Sequence, residues 1–198
     1  MRVVIIGQKW LAEQLLRMCQ SRGDDIAAVI VPNNADRLSQ AAARDGIHVT
    51  AAQRVELQHI PAGVDVILCA HNHAFVTAEA RAKARLGALG YHPSLLPRHR
   101  GRDAIRWAIH MNDQVTGGTV YWLDDGADTG PIAAQEWCWV NKNDTEKTLW
   151  RDTLAPLGLR LFDKVLTSID NGVIPAHAQD ESQATFEPAF KKAHLNVI

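Results

Sequence analysis

The chain lacks the features that mark secreted, membrane or nucleic-acid-binding proteins. Its 198 residues include only three cysteines, and none of them forms a CxxC pair, so we expect reduced thiols rather than disulfides. No apolar run approaches the ~18 residues that a membrane-spanning helix needs. The formal net charge of −1 favours neither nucleic acid nor an anionic membrane. The first residues run directly into a folded pattern, so we expect no signal peptide and a cytoplasmic location.

What the sequence does contain is an alternation of short apolar strands with helices in its first half. Strands are predicted at 3–6, 26–31, 64–70 and 86–91, and helices at 8–22, 36–45 and 77–85, the last with Thr77 as its cap. This order predicts an α/β fold with a Rossmann-like, mostly parallel, doubly wound sheet. Ligands bind outside the carboxyl ends of the strands in such sheets, and His92 stands at one of these ends.

The second half has a different pattern. Asp103 is expected to cap a helix that runs to residue 110 or 111, and a second helix is predicted from residue 144 or 145 to 170, with strands at 116–123 and 132–140. Pro156 is expected to kink or split the long helix. We therefore expect an antiparallel extension and a long C-terminal helix. No linker interrupts the chain, so residues 1–198 are interpreted as one domain, with a core to about 172 and a surface-packed tail at 173–198.

The run HPSLLPRHRG, residues 92–101, places an imidazole after an apolar strand and before two prolines. Proline fixes its own φ and restricts the residue before it, so His92 is expected to be held near an extended backbone. This arrangement is typical of a catalytic side chain presented to a cleft. The alternative is a loop histidine between two turns.

A second candidate element is the loop at 124–131, which carries three carboxylates and is too long for a tight hairpin. Asp128 follows His92 by 36 residues. An Asp beside a His fixes the orientation and tautomer of the ring, and such a pair can stabilise an oxyanion and relay a proton through water. For Asp124 and Asp125, a solvated turn is the alternative.

The chain carries three elements in the order His-Pro-Ser-Leu-Leu-Pro, Arg-Gly and Asp-Thr-Gly-Pro. Elements of this kind in this order resemble the folate-dependent formyltransferases, which include the glycinamide ribonucleotide and methionyl-tRNA formyltransferases. The resemblance covers roughly residues 1–170. Three stretches are most similar to the hydrolase domain of 10-formyltetrahydrofolate dehydrogenase: Ile5-Ile6-Gly7-Gln8, residues 91–101 and residues 124–130.

The resemblance implies that 10-formyltetrahydrofolate donates a formyl group to an amine, and that no metal takes part. His92 and Asp128 would be catalytic, with Asp128 supporting His92. The implied cofactor-binding residues are His73, Phe75, Val76, Leu123, Asp124, Asp125 and Gly126. Carboxylates and backbone carbonyls suit a pterin ring that is rich in N–H donors. Phe75 could equally be a core residue.

One position departs from the usual family pattern. Many formyltransferases carry Asn-x-His-Pro, whereas this chain has Gly90 two residues before His92. Losing an oxyanion donor typically costs about 10²–10³ in rate. The hydrolase domain of the dehydrogenase also lacks this Asn. Asn72 is one candidate to supply the amide. Two alternatives to transfer therefore stay open: hydrolysis of 10-formyltetrahydrofolate, and folate binding without turnover.

The identity of the acceptor is left open by the sequence. The stretch 7–10 does not resemble the glycine-rich phosphate loop of the ribonucleotide enzyme, so we expect a small amine; tRNA and water stay open as alternatives. Ser94 and Arg100 are possible supporting residues, and the basic group at 98–102 could bind phosphate or the folate glutamate tail, or be solvated. His71 and His73 have no third metal ligand at suitable spacing.

Overall fold

The computed structural model describes residues 1–191, and the chain divides into two compact units, Met1–Tyr91 and the part from His92 onward. The predicted surface tail at 173–198 therefore lies partly outside the described residues. Within residues 1–191, no helix is both long enough and apolar enough to cross a bilayer.

The first unit is built on a parallel sheet. Its strands are β1 (Arg2–Gly7), β2 (Asp25–Val31), β3 (Val49–Ala51), β5 (Val66–Ala70) and β7 (Ala88–His92), with β4 (Arg54–Val55) and β6 (Phe75–Val76) forming a separate pair. The order β3-β2-β1-β5-β7 shows that the chain winds outward from β1 in both directions. The predicted parallel, doubly wound arrangement is confirmed. The buried aliphatic strands explain it, because parallel strands are covered on both faces.

The helices of this unit begin and end at residues with clear local causes. They are α1 (Lys9–Arg22), α2 (Arg37–Arg44) and α3 (Ala78–Lys83), with a 3₁₀ turn at Leu57–His59. Gly23 ends α1 in the left-handed conformation, at φ 79°. The Asp36 carboxylate accepts the Leu38 N–H at the start of α2, and the Thr77 hydroxyl caps α3 as predicted.

The second unit combines an antiparallel strand pair with helices. It contains α4 (Ala104–His110), β8 (Val115–Trp122), β9 (Ile132–Trp139), α5 (Glu146–Leu149), a π-turn at Trp150–Leu154, α6 (Ala155–Asp170) and a 3₁₀ turn at Glu181–Gln183. The predicted antiparallel extension and long C-terminal helix are both confirmed. The long helix is split as expected, because Pro156 has no N–H to donate to the preceding turn, and the helix widens to the π-turn at Trp150–Leu154 just before it.

One expectation about this unit was wrong. Asp103 precedes α4, where it was expected to cap the helix, but its side chain makes no capping bond and accepts the Phe190 N–H at 3.0 Å instead. The described part of the tail, up to residue 191, makes hydrogen bonds to the segments that carry His92 and Asp128.

Candidate active site

His92 is the last residue of β7 and is buried, with 7% of its surface exposed. Its Nε2 lies 2.7 Å from the carbonyl oxygen of His99. A carbonyl only accepts hydrogen bonds, so Nε2 carries the proton and donates. The other ring nitrogen, Nδ1, lies 3.6 Å from Oδ2 of Asp128. The ring therefore keeps one nitrogen fixed and turns the other toward the carboxylate.

Asp128 is held by donors on both of its oxygens. Oδ2 accepts the Gly101 N–H at 2.7 Å, and Oδ1 accepts the Tyr121 hydroxyl at 2.6 Å. Its backbone is left-handed, with φ 59°, a conformation that costs energy outside glycine and recurs at functional sites. The 3.6 Å separation from His92 is too long for a hydrogen bond. Asp128 was expected to orient the His92 ring. That expectation was wrong, because the hydrogen bond that orients the ring goes to the His99 carbonyl.

The turn that follows His92 is fixed by several hydrogen bonds. The Ser94 hydroxyl donates to the Arg98 carbonyl at 2.6 Å. The Thr119 hydroxyl of β8 donates to the Ser94 carbonyl at 2.7 Å and accepts from the Leu96 N–H at 3.2 Å. Ser94 thus supports the site through the shape of the turn.

The basic group at 98–102 is largely neutralised. His99 is buried, with Asp113 at 2.8 Å on one side and Glu187 at 3.2 Å on the other. Arg100 is also buried and bonds Glu181 at 2.7 and 2.9 Å, and this contact holds the pKa of Arg100 above its usual value. These two residues offer no free positive charge for a phosphate or a glutamate tail, which corrects that expectation for both of them.

The carboxylate loop is ordered by one of its own side chains. Asp124 accepts the Thr129 hydroxyl at 2.7 Å and the Gly126 N–H at 3.0 Å. A Cβ on Gly126 would lie 1.9 Å from the Thr129 hydroxyl oxygen, so a side chain there would break the arrangement. Leu123 is half-buried, while Asp125 and Gly126 are exposed.

Five further predicted residues lie in the first unit. The Asn72 amide is engaged locally, donating to the Ala74 carbonyl at 2.8 Å and accepting the Ala74 N–H at 2.9 Å. Phe75 is 55% exposed beneath the guanidinium of Arg54 at 4.9 Å, so the core interpretation of Phe75 was wrong. Val76 is buried, and His73 is exposed. Gly90 is buried in β7 opposite Cys69 and contributes no side-chain donor.

His71 lies beside a second histidine, His73, in surroundings that disfavour the charged form of the His71 ring. Its ring contacts His73 edge to face, at 5.5 Å. Burial, with the nearby charges of Lys9 and His73, lowers the pKa of His71 to about 4. Among residues 1–191, no group of three or more His, Cys, Asp or Glu side chains is placed to hold a metal ion.

Sequence reasoning missed two residues that contact the Asp128 segment. Tyr121 bonds its carboxylate, and the Gln179 amide bonds the carbonyls of Asp128 and Gly130. A signal existed for Tyr121, because alternate residues of a strand share a face and Thr119, two residues earlier, faces the His92 turn. Gln179 has no such signal, since it lies in an irregular segment.

A comparison with known proteins finds one matching family profile and several similar sequences. The Formyl transferase family profile matches residues 1–158. Mitochondrial 10-formyltetrahydrofolate dehydrogenase of Mus musculus is 32% identical over 211 residues, which cover 100% of this chain but 23% of that protein. Methionyl-tRNA formyltransferase of Halothermothrix orenii is 42% identical over 100 residues, covering 50% of this chain and 31% of that protein. The chain thus spans about a quarter of the length of the dehydrogenases it matches.

Solved structures show the same fold. Glycinamide ribonucleotide transformylase 1 from Symbiobacterium toebii gives a TM-score of 0.75 at 22% identity, covering 90% of this chain and 92% of that one. The N-formyltransferase from Helicobacter canadensis, in complex with folinic acid and dTDP-3-aminofucose, gives 0.78 at 21% identity, covering 98% and 72%. With the family profile matching residues 1–158, these comparisons show that the chain belongs to the formyl transferase family.

Proposed function

We propose that this chain transfers the formyl group of 10-formyltetrahydrofolate to an amine-bearing acceptor, with His92 and Asp128 as its catalytic residues. The observation that carries the proposal is the His92–Asp128 pair inside the region that matches the family. One nitrogen of the imidazole is fixed by a carbonyl, and the other faces a carboxylate at 3.6 Å.

His92 would act on the formyl oxygen. When the ring is protonated, its Nε2–H stays on the His99 carbonyl, so only the Nδ1–H is available to a substrate. A donor already aimed at the position where negative charge develops stabilises the tetrahedral intermediate without reorganising. The Asp128 carboxylate lies beside this nitrogen, with Oδ2 at 3.6 Å.

Asp128 would manage the proton of the attacking group. The amine nitrogen forms a bond to the formyl carbon and loses a proton, and the bond between that carbon and N10 of the folate then breaks. The proton that the amine loses passes through the carboxylate and water to N10, so tetrahydrofolate leaves neutral at N10. Tyr121 and Gly101 keep the two carboxylate oxygens in place during this exchange.

The folate would be bound by the residues that the resemblance implies. In the second unit, the loop ordered by Asp124 presents backbone groups and the side chain of Leu123. In the first unit, Phe75 is an exposed aromatic ring available for apolar contact. The roles of His73, Val76 and Asp125 in pterin binding stay predictions of the same kind.

Hydrolysis of 10-formyltetrahydrofolate is the second candidate function. It is favoured by Gly90, which removes the amide donor common in the transferases, and by the match to 10-formyltetrahydrofolate dehydrogenases over the whole of this chain. Water would then replace the amine as the attacking group, and formate would leave. In either case we place the chain in cytoplasmic one-carbon metabolism, with a small amine as the preferred acceptor and tRNA as the other acceptor class to test.

One experiment separates these functions. The purified protein is mixed with 10-formyltetrahydrofolate, and tetrahydrofolate and formate are measured with and without a panel of amines that includes amino sugars and aminoacyl-tRNA. Transfer predicts tetrahydrofolate release that depends on an amine and yields a formylated product. Release of formate without amine supports hydrolysis. Saturable binding with neither product would contradict both and leave a binding protein.

A further inference from the structure

The segment after α6 runs along the two loops that carry the proposed catalytic pair. We call residues 175–190 the C-terminal strap. The Thr185 N–H donates to the Pro97 carbonyl at 3.1 Å, and the Thr185 carbonyl accepts the Arg100 N–H at 3.0 Å. The strap therefore pairs with the turn that follows His92.

One strap residue joins that turn to the Asp128 loop. Gln179 donates from Nε2 to the carbonyls of Asp128, at 2.9 Å, and Gly130, at 2.7 Å. Its Oε1 accepts from Nε and Nη2 of Arg100, at 3.2 and 2.8 Å. Both amide hydrogens and both acceptor positions of this side chain are thus used.

We propose that Gln179 is a positioning residue that sets the distance between Asp128 and His92, an inference that rests on the proposed function. Asp128 has a left-handed backbone, which needs neighbouring contacts to persist. Gln179 bonds the carbonyl of that residue. Its other end is attached to Arg100, which Glu181 holds in place and which lies eight residues after His92. One amide therefore connects both loops.

The chemistry of the amide makes a sharp test available. In Gln179→Glu the shape and the acceptor toward Arg100 are kept, but a carboxylate oxygen replaces the N–H donor. That oxygen would face the carbonyls of Asp128 and Gly130 and repel them. A protonated carboxyl regains one O–H donor, so lowering the pH restores part of the contact. Gln183→Glu is the matched control, because Gln183 is exposed on the same strap and its amide makes only a 3.4 Å contact with Ser182.

The experiment measures kcat and KM for 10-formyltetrahydrofolate between pH 5 and 8, with thermal unfolding of each variant. For Gln179→Glu we expect kcat about tenfold or more below wild type at pH 8, KM within threefold, and a ratio to wild type that rises as the pH falls. Gln183→Glu should match wild type throughout. Gln179→Met, which keeps the length but has no amide, should show the lower kcat without recovery at low pH.

Asp128→Asn, measured in parallel, separates this inference from the proposed function. If Asp128→Asn keeps the wild-type kcat, the catalytic pair itself is wrong. If Asp128→Asn loses activity while Gln179→Glu behaves like Gln183→Glu, the positioning role is overturned and the proposed function stands. Failure of both Gln179 variants to fold would also overturn it, because the residue would then serve stability alone.

Discussion

His92 donates its Nε2–H to the carbonyl of His99, seven residues further along the same turn, at 2.7 Å. The turn that carries the imidazole thus also fixes its orientation. Asp128, which family resemblance would make the orienting group, stands 3.6 Å away and bonds Tyr121 and Gly101 instead. As a result, Nδ1 of His92 and the carboxylate of Asp128 face each other.

Replacing His92 should separate orientation from chemistry. His92→Gln keeps an amide donor for the His99 carbonyl but has no titrating ring, so we expect turnover to be lost while folate affinity stays within about tenfold. Thermal unfolding should stay closer to wild type than in His92→Ala. Formyl release and folate titration check this, with His48→Ala as the control histidine change. Wild-type turnover in His92→Gln would refute the catalytic role.

Asp128→Asn should lower kcat by at least 10²-fold, since a neutral amide does not accept a proton as the carboxylate does. Asp125→Asn, the same change on an exposed neighbour in the loop, should alter kcat less than threefold, because the proposed contact of Asp125 with the pterin affects KM for folate and not the chemical step. Single-turnover formyl release compares the two. Equal losses would mean that the loop contributes only its overall charge.

Tyr121→Phe removes a single hydroxyl from the buried face of β8 and leaves Oδ1 of Asp128 without its 2.6 Å donor. Hydrogen bonds to charged groups contribute about 1.5–3 kcal/mol, so we expect kcat to fall roughly tenfold with KM for folate unchanged. Steady-state kinetics measure both constants. A rise in KM alone would show that Tyr121 acts on folate binding and not on Asp128.

Thr129→Val keeps the side-chain shape but removes the hydroxyl that donates to Asp124. The loop at 123–130 should then lose order, which raises KM for folate about three- to tenfold while kcat changes little. Hydrogen exchange of the loop amides, measured with the kinetics, should be faster. If exchange speeds up and KM does not move, this loop is not part of the folate site.

Acid should destabilise the protein through His71. Its pKa is lowered from 6.5 to about 4 by burial and by Lys9 and His73, so below pH 6.5 the unfolded chain takes up a proton that the folded protein does not bind. Stability is therefore lost as the pH falls from 6.5 toward 4. His71→Asn suits the left-handed backbone at this position, φ 50°, and should flatten the decline in unfolding free energy. His48→Asn should not, and equal slopes in all three proteins would contradict the prediction.

Sequence predicted the major elements of both units because their cause is local. Buried strands such as β1 and β5 are continuous apolar runs, and Gly23, Asp36 and Thr77 bound their helices by ordinary capping. The strands β3, β4 and β6 were missed, since runs of two or three residues carry no measurable period.

The catalytic pair was predicted from motif order, whereas the contacts that hold it were not. Gln179 and Arg100 are 79 residues apart, and Phe190 and Asp103 are 87 residues apart. Pairings over such distances leave no periodic pattern in a sequence. Asp103 shows the same limit in reverse. It has the residue type of a cap, but its carboxylate bonds the strap and not the helix.

The strap has a consequence for where this protein can be cut or joined to another. The family profile matches residues 1–158, yet the carboxylates beside Arg100 and His99 come from positions 181 and 187. A recombinant boundary at residue 172 would retain every strand and the long helix but would remove Glu181, the carboxylate that Arg100 bonds, and Glu187, leaving His99 with Asp113 alone. Removing one partner of a buried ion pair is destabilising, so we expect a fragment that ends at residue 172 to be less stable than one that reaches past residue 187.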